Sequence, residues 1–155
     1  MRESLGRGRS CGAFMAVVVL VSLVLAGCDS DDGPTAAQAG QTLKSDILQL
    51  LKERDARDVT VTDPGGKDIP CGDGKAKQTF AATGTDGSRM TEPYILRTAM
   101  LGALSRVGHY QTVGTSTPDS PIRVVNESTA TILTLDSSAA GIYAVSGETQ
   151  CLRSS

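Results

Sequence analysis

The chain has no tryptophan, and its 155 residues hold only two phenylalanines and three tyrosines: Phe14, Phe80, Tyr94, Tyr110 and Tyr143. That scarcity leaves no stacking platform for sugars or bases and no aromatic cage for a cation. The core has to be built from Val, Ile, Leu and Ala. Histidine is equally scarce. A zinc site draws on several His or Cys side chains, and a Ser-His-Asp triad would have to use His109, with no Gly-x-Ser-x-Gly to hold its serine. There is no basic excess either. With 15 Lys+Arg against 17 Asp+Glu, no basic face is available for a nucleic acid. The apolar run over residues 13–27 falls short of the roughly 20 residues that span a bilayer.

That run has a character of its own. Arg2, Arg7 and Arg9 precede it, Val17, Val18, Val19, Leu20 and Val21 lie within it, and small residues close it. A basic start, a short apolar stretch and a small-residue exit form the pattern of a secretory signal. The exit reads Leu25-Ala26-Gly27-Cys28. This tetrad resembles the lipobox of bacterial lipoproteins. The resemblance implies cleavage between Gly27 and Cys28, with a thioether-linked diacylglycerol on Cys28. The alternative, Cys28 as a small apolar residue ending a helix, leaves the basic start and the tetrad unexplained. One acyl chain holds a protein only marginally, whereas two or three make a lasting anchor.

Asp29-Ser30-Asp31-Asp32-Gly33-Pro34 then reads as a solvated tether between lipid and domain. It lacks the glycine and terminal glutamate of an EF-hand calcium loop. The expected organisation is a signal over residues 1–27, a lipidated acidic tether over 28–34, and one domain over 35–155. Cys11 leaves with the signal. So do Arg2, Arg7, Arg9 and Glu3, so 12 basic and 16 acidic side chains remain, a net charge near −4. No polybasic patch serves anionic lipid heads, and the membrane partner is reached through the lipid on Cys28.

Two cysteines remain in the domain, Cys71 and Cys151. The implied compartment, the extracytoplasmic face of the cell membrane, is oxidising, which favours their pairing. A closed loop of about 80 residues is worth roughly 4.5 kcal/mol by loop-closure entropy. The alternative is two free thiols, neither with the nearby histidine that usually activates a nucleophilic cysteine.

Thr35-Ala36-Ala37-Gln38 fits a capping box, and Leu43, Ile47, Leu50 and Leu51 follow on one helical face, to about Ala56. Residues 59–62 alternate Val-Thr like a short strand, residues 67–75 read as a loop, and strand signals return over 76–83. Thr91 is placed to cap a second helix, with Glu92 and Pro93 in its first turn and Leu96, Met100, Ala103, Leu104 and Val107 on its apolar face. Gly108 sits past its end. Strands are then expected over 109–114, 122–125, 129–135 and 141–146. The expected fold class is α+β. Two helices pack on one face of a mostly antiparallel sheet, in the order α-β-β-α followed by three or four strands.

The lipobox, the acidic tether, Pro70-Cys71 and the ending Ser146-Gly147-Glu148-Thr149-Gln150-Cys151 are together similar to small cell-envelope lipoproteins of actinobacteria. That likeness implies compartment and architecture, and carries no chemistry.

Residues that could bear chemistry have plainer uses. His109 suits a helix end, where a cation is favoured. Asp55 and Asp58 lie among Arg54 and Arg57, as a solvated charge cluster does. Asp73 and Asp86 sit in glycine-containing turns that favour aspartate. Gly72-Asp73-Gly74-Lys75 is a turn and lacks the spacing of a phosphate loop. Asn126-Glu127-Ser128 matches a glycosylation sequon, which a bacterial lipoprotein would not use. No catalytic, metal or cofactor site is expected. The expected function is a non-enzymatic interaction or accessory lipoprotein with an envelope protein partner. The alternative is a carrier of a lipid or small ligand in an aliphatic cavity between helices and sheet, and a hydrolase centred on His109 is the third possibility.

Overall fold

The computed structural model describes residues 33–154. The signal over 1–27, the lipidation of Cys28 and all but the last two residues of the tether lie outside them. Among the described residues no helix is long and apolar enough to cross a membrane.

Helix α1 (Ala36–Glu53) begins as its capping box dictates. Thr35 Oγ1 accepts from Gln38 N at 3.3 Å, and Gln38 Oε1 accepts from Thr35 N at 2.9 Å. Leu43, Ile47, Leu50 and Leu51 are fully buried on one stripe. The helix stops short of Ala56 because Asp55 adopts a left-handed conformation, φ 49°. Helix α2 (Pro93–Ala103) continues as a 3-10 turn to Arg106. Its cap is Glu92 rather than Thr91, and no side chain caps it. The Thr91 hydroxyl donates to Asp86 instead.

The strands are β1 (Arg57–Asp63), β2 (Ile69–Gly72), β3 (Lys75–Lys77), β4 (Thr79–Thr85), β5 (Gln111–Thr112), β6 (Ile122–Asn126), β7 (Thr131–Asp136), β8 (Ile142–Thr149) and β9 (Leu152–Arg153). Six of them form an antiparallel sheet in the order β1-β4-β8-β7-β6-β5. The other three form a small antiparallel sheet, β2-β3-β9. The fold is α+β with both helices on one face of the large sheet, as expected. The strand order is finer than expected, with four strands between the helices and five after the second.

β9 is an added strand past the last one expected, and two details account for the strands added between the helices. The expected strand over 76–83 is broken at Gln78, which is buried and exchanges bonds with Thr149: Gln78 N to Thr149 Oγ1 at 3.0 Å, and Thr149 N to Gln78 O at 2.9 Å. The expected loop over 67–75 contains β2, whose Cys71 is bonded to Cys151 with Cα atoms 6.0 Å apart. The strand expected over 109–114 shrinks to β5.

Period-two alternation divides the large sheet into two faces. Phe80, Ala82, Leu133, Leu135, Tyr143, Val145, Ile122 and Val124 point to the helices and are buried. With Leu43, Ile47, Leu96 and Met100 they form one core. Each large side chain there contributes roughly 1.5–3 kcal/mol by leaving water. Gly147 faces Leu133 across the β7–β8 ladder. A Cβ there would stand 2.6 Å from Leu43 Cδ1, so the missing side chain lets α1 press on β8. The opposite face carries Thr79, Ala81, Thr83, Ile132, Thr134, Ala144 and Ser146, and no helix among the described residues covers it.

Candidate functional site

The two ends of the large sheet differ. At one end lie the start of β4, the end of β8 and the small sheet. Helix α1 starts here: a Cβ on Gly40 would overlap Gln78, just before β4. At the other end the β4–α2 turn meets the start of β8, where Gly141 N donates to Thr91 O at 2.9 Å.

Asp86 builds that second end. Its carboxylate accepts from Thr91 Oγ1 at 2.6 Å, Ser88 Oγ at 2.7 Å, Ser88 N at 3.2 Å and the Tyr143 hydroxyl at 3.2 Å. The hydrogen bonds from Thr91 and then Ser88 hold it down at a pKa of about 2. This is the turn role expected of Asp86. The fixed turn leaves Met90, Tyr94 and Ile95 standing out from the α2 amino end, 78 %, 53 % and 54 % exposed. Isolated exposed apolar residues are ordinary, but three within six positions form a patch. Beside them a hollow of about 260 Å³ lies between α2 and the loop carrying Ser116, Thr117 and Pro118. Its floor is Arg97, only 5 % exposed. The guanidinium donates to the carbonyls of Pro118 and Ser137 and lies 3.5 Å from Asp136 Oδ1. The cation is thus fully engaged as a clamp between α2, the 115–121 loop and the β7–β8 turn.

A second hollow, of about 270 Å³, lies on the uncovered face. Thr79, Ala81, Thr134 and Ser146 are too small to fill it. Lys77 and Arg123 flank Glu148 at its rim, at 2.7 Å and 3.4 Å. The bond from Lys77, with help from Arg123, holds the Glu148 carboxyl below its usual range.

Asp46 behaves in the opposite sense to Asp86. Burial pushes its carboxyl up, offset in part by a 2.6 Å bond from the Tyr110 hydroxyl. Tyr110 is itself pushed up by burial and by Asp46, and it contacts Thr131 Oγ1 at 3.0 Å. This network ties α1 to the 107–110 segment and β7.

His109 is exposed beside Gln111, Asn126, Glu127 and Ser128. Asp55 and Asp73 are exposed, Asp73 in the β2–β3 turn. Asp58 pairs with Arg89 at 3.2 Å. These residues are not brought together. Among the described residues no three His, Cys, Asp or Glu side chains converge as a metal site would require. Cys71 and Cys151 are tied up in the disulfide, and Cys28 lies outside the described residues.

Arg97 and the patch went unread in the sequence. A signal for the patch was there: Met90, Tyr94 and Ile95 fall off the stripe of Leu96, Met100, Ala103 and Leu104. Arg97 gave none, because a cation beside an apolar stripe normally faces water. No known protein family, curated protein or solved structure matches the chain.

Proposed function

We propose that the chain is an exported lipoprotein, anchored through a lipid on Cys28 at the extracytoplasmic face of the cell membrane. Its domain serves there as a non-enzymatic interaction module for an envelope protein. The observation that carries this reading is the position of the apolar patch. The residues from Cys28 to Thr35 reach at most about 25 Å when extended. A lipid on Cys28 therefore keeps the α1 amino end near the bilayer. Met90, Tyr94 and Ile95 stand at the other end of the sheet, where a protein partner has access to them.

A lipid carrier draws less support. The space between helices and sheet is taken by Leu43, Ile47, Leu133, Leu135 and Tyr143, all fully buried. The hollows of about 270 and 260 Å³ open to solvent, below the roughly 300–1,000 Å³ of sites that enclose a drug-sized ligand.

Two experiments test the reading. Cys28→Ala is expected to move the protein out of the membrane fraction, and a variant that stays bound overturns the anchor. Native mass spectrometry of the full-length protein, gently extracted from its own membranes, is expected to show a complex with a different protein. The Ile95→Asp variant is expected to lose that complex. A complex that survives Ile95→Asp, or none at all, overturns the docking role.

A further inference from the structure

We infer that the outer face of the small sheet rests on an anionic phospholipid surface, through Lys75, Lys77 and Arg153. This builds on the lipid anchor proposed above: the anchor ties the chain to the bilayer, and the face sets how the domain sits on it. β3 pairs Lys75 with Arg153 of β9, and Lys77 with Ile69 of β2. Partners across a ladder share a face, and so do residues two apart in a strand. Ala76, between the two lysines, is buried, so Ile69, Lys75, Lys77 and Arg153 look outward. Lys75 and Arg153 are exposed, and Ile69 is 40 % exposed. The patch is invisible along the sequence, because only the fold returns Arg153 to the side of Lys75.

Like charges directly opposite one another weaken a ladder. Lys75 and Arg153 stand so, and neither makes an ion pair among the described residues. The Cys71–Cys151 bond holds the small sheet together in spite of them. A local rule broken here and compensated next door is what functional surfaces show. The nearby carboxylates do not relieve the repulsion. Glu148 is shared between Lys77 and Arg123, Asp68 accepts from Gln78 Nε2 at 2.8 Å, and Asp73 in the β2–β3 turn pairs with neither cation. An anion from outside the domain does relieve it. Position selects which. Helix α1 starts at this end, with Gly40 against Gln78 just after β3. The extended residues from Cys28 to Thr35 reach at most about 25 Å. A lipid on Cys28 therefore brings these cations within reach of headgroups, where each Lys or Arg favours contact about fivefold. Ile69 adds an apolar side chain to the same face.

The test uses full-length protein extracted from its own membranes and reconstituted into vesicles. One set is phosphatidylcholine alone, the other equal parts phosphatidylcholine and phosphatidylglycerol. Lysines are labelled with a water-soluble amine-reactive ester and read by mass spectrometry. On the anionic vesicles Lys75 is expected to label about fivefold more slowly than on the neutral ones, while exposed Lys52 of α1 labels equally on both. Salt at about 1 M, where the screening length is about 3 Å, is expected to abolish the difference. Arg153→Glu is expected to abolish it too, with a far-ultraviolet spectrum like that of the unaltered chain. Equal labelling of Lys75 on the two vesicles overturns the lipid surface, and assigns any shared protection to another cover, the acidic tether or a protein. Equal slowing of Lys52 overturns the choice of face. Flotation reports the anchor separately. A chain that floats with anionic vesicles only, and no longer does so as Arg153→Glu, refutes the anchor and supports the face. One that floats with neither vesicle overturns both.

Discussion

The two sheets of this domain are held by different means. The large sheet has an apolar face of Phe80, Val124, Leu133, Leu135, Tyr143 and Val145 pressed under two helices. The small sheet has almost none. All four residues of β2 are exposed, and Ala76 is the only residue of its strands that is buried. What the small sheet has instead is the Cys71–Cys151 bond, which ties β2 to the segment entering β9 across the intervening β3. Where a stretch cannot bury enough surface to fix its own conformation, a covalent link lowers the entropy of the alternatives.

The contrast can be broken at its strongest point first. Replacing Cys71 and Cys151 by serine is expected to cost about 4 kcal/mol in urea unfolding. Hydrogen exchange in the same variant is expected to rise sharply at Ala76 and Leu152 and little at Leu133. Equal acceleration at all three positions would mean that the small sheet has no separate stability. Leu133→Ala attacks the other side. It leaves a cavity beneath α1 and is expected to cost about 3 kcal/mol, with the disulfide intact.

A smaller effect comes from the polar staple at the far end of the large sheet. Asp86→Asn keeps the shape but loses the charge that four donors address, at a cost of about 2 kcal/mol at neutral pH. The folded carboxyl titrates at about 2, below its unfolded value near 3.9. Its contribution is therefore complete above about pH 4 and lost as pH falls towards 2. The stability difference between Asp86→Asn and the unaltered chain should close over that window, and a difference that stays constant would remove Asp86 from the account. Asp46, whose carboxyl is raised, has the opposite sign and gains stability on protonation. The smallest effect is expected at Ile69→Thr in β2, within about 0.5 kcal/mol in the same unfolding assay, because the side chain it alters is already 40 % exposed.

The same contrast explains what the sequence disclosed. β7 was legible because Thr131, Leu133 and Leu135 alternate with Ile132 and Thr134, and a half-buried strand has to alternate. α1 was legible from its capping box and its stripe. β2 and β9 were not, and β3 was read as one strand with β4. Strands of two to four residues on a surface carry no alternation, and their pairing rests on Cys151 returning 80 residues later. Thr91 misled for a related reason. Its hydroxyl could accept from the α2 amides or donate to Asp86, and only the folded turn decides between them. The apolar patch could be inferred only from residues that failed to fit a stripe.

The pairing of β4 with β8 sets a limit on how quickly the domain can assemble. Thr85 pairs with Ile142 and Thr79 with Glu148, partners 57 and 69 residues apart in the chain. Neighbours so distant make for a high contact order and slow folding. As the chain emerges amino end first, the β1–β4 pair is complete long before β8 is available. One side of β4 must wait, unpaired, until the last strand of the large sheet has been made. The middle of the sheet, its best-buried part once folded, is the last to close.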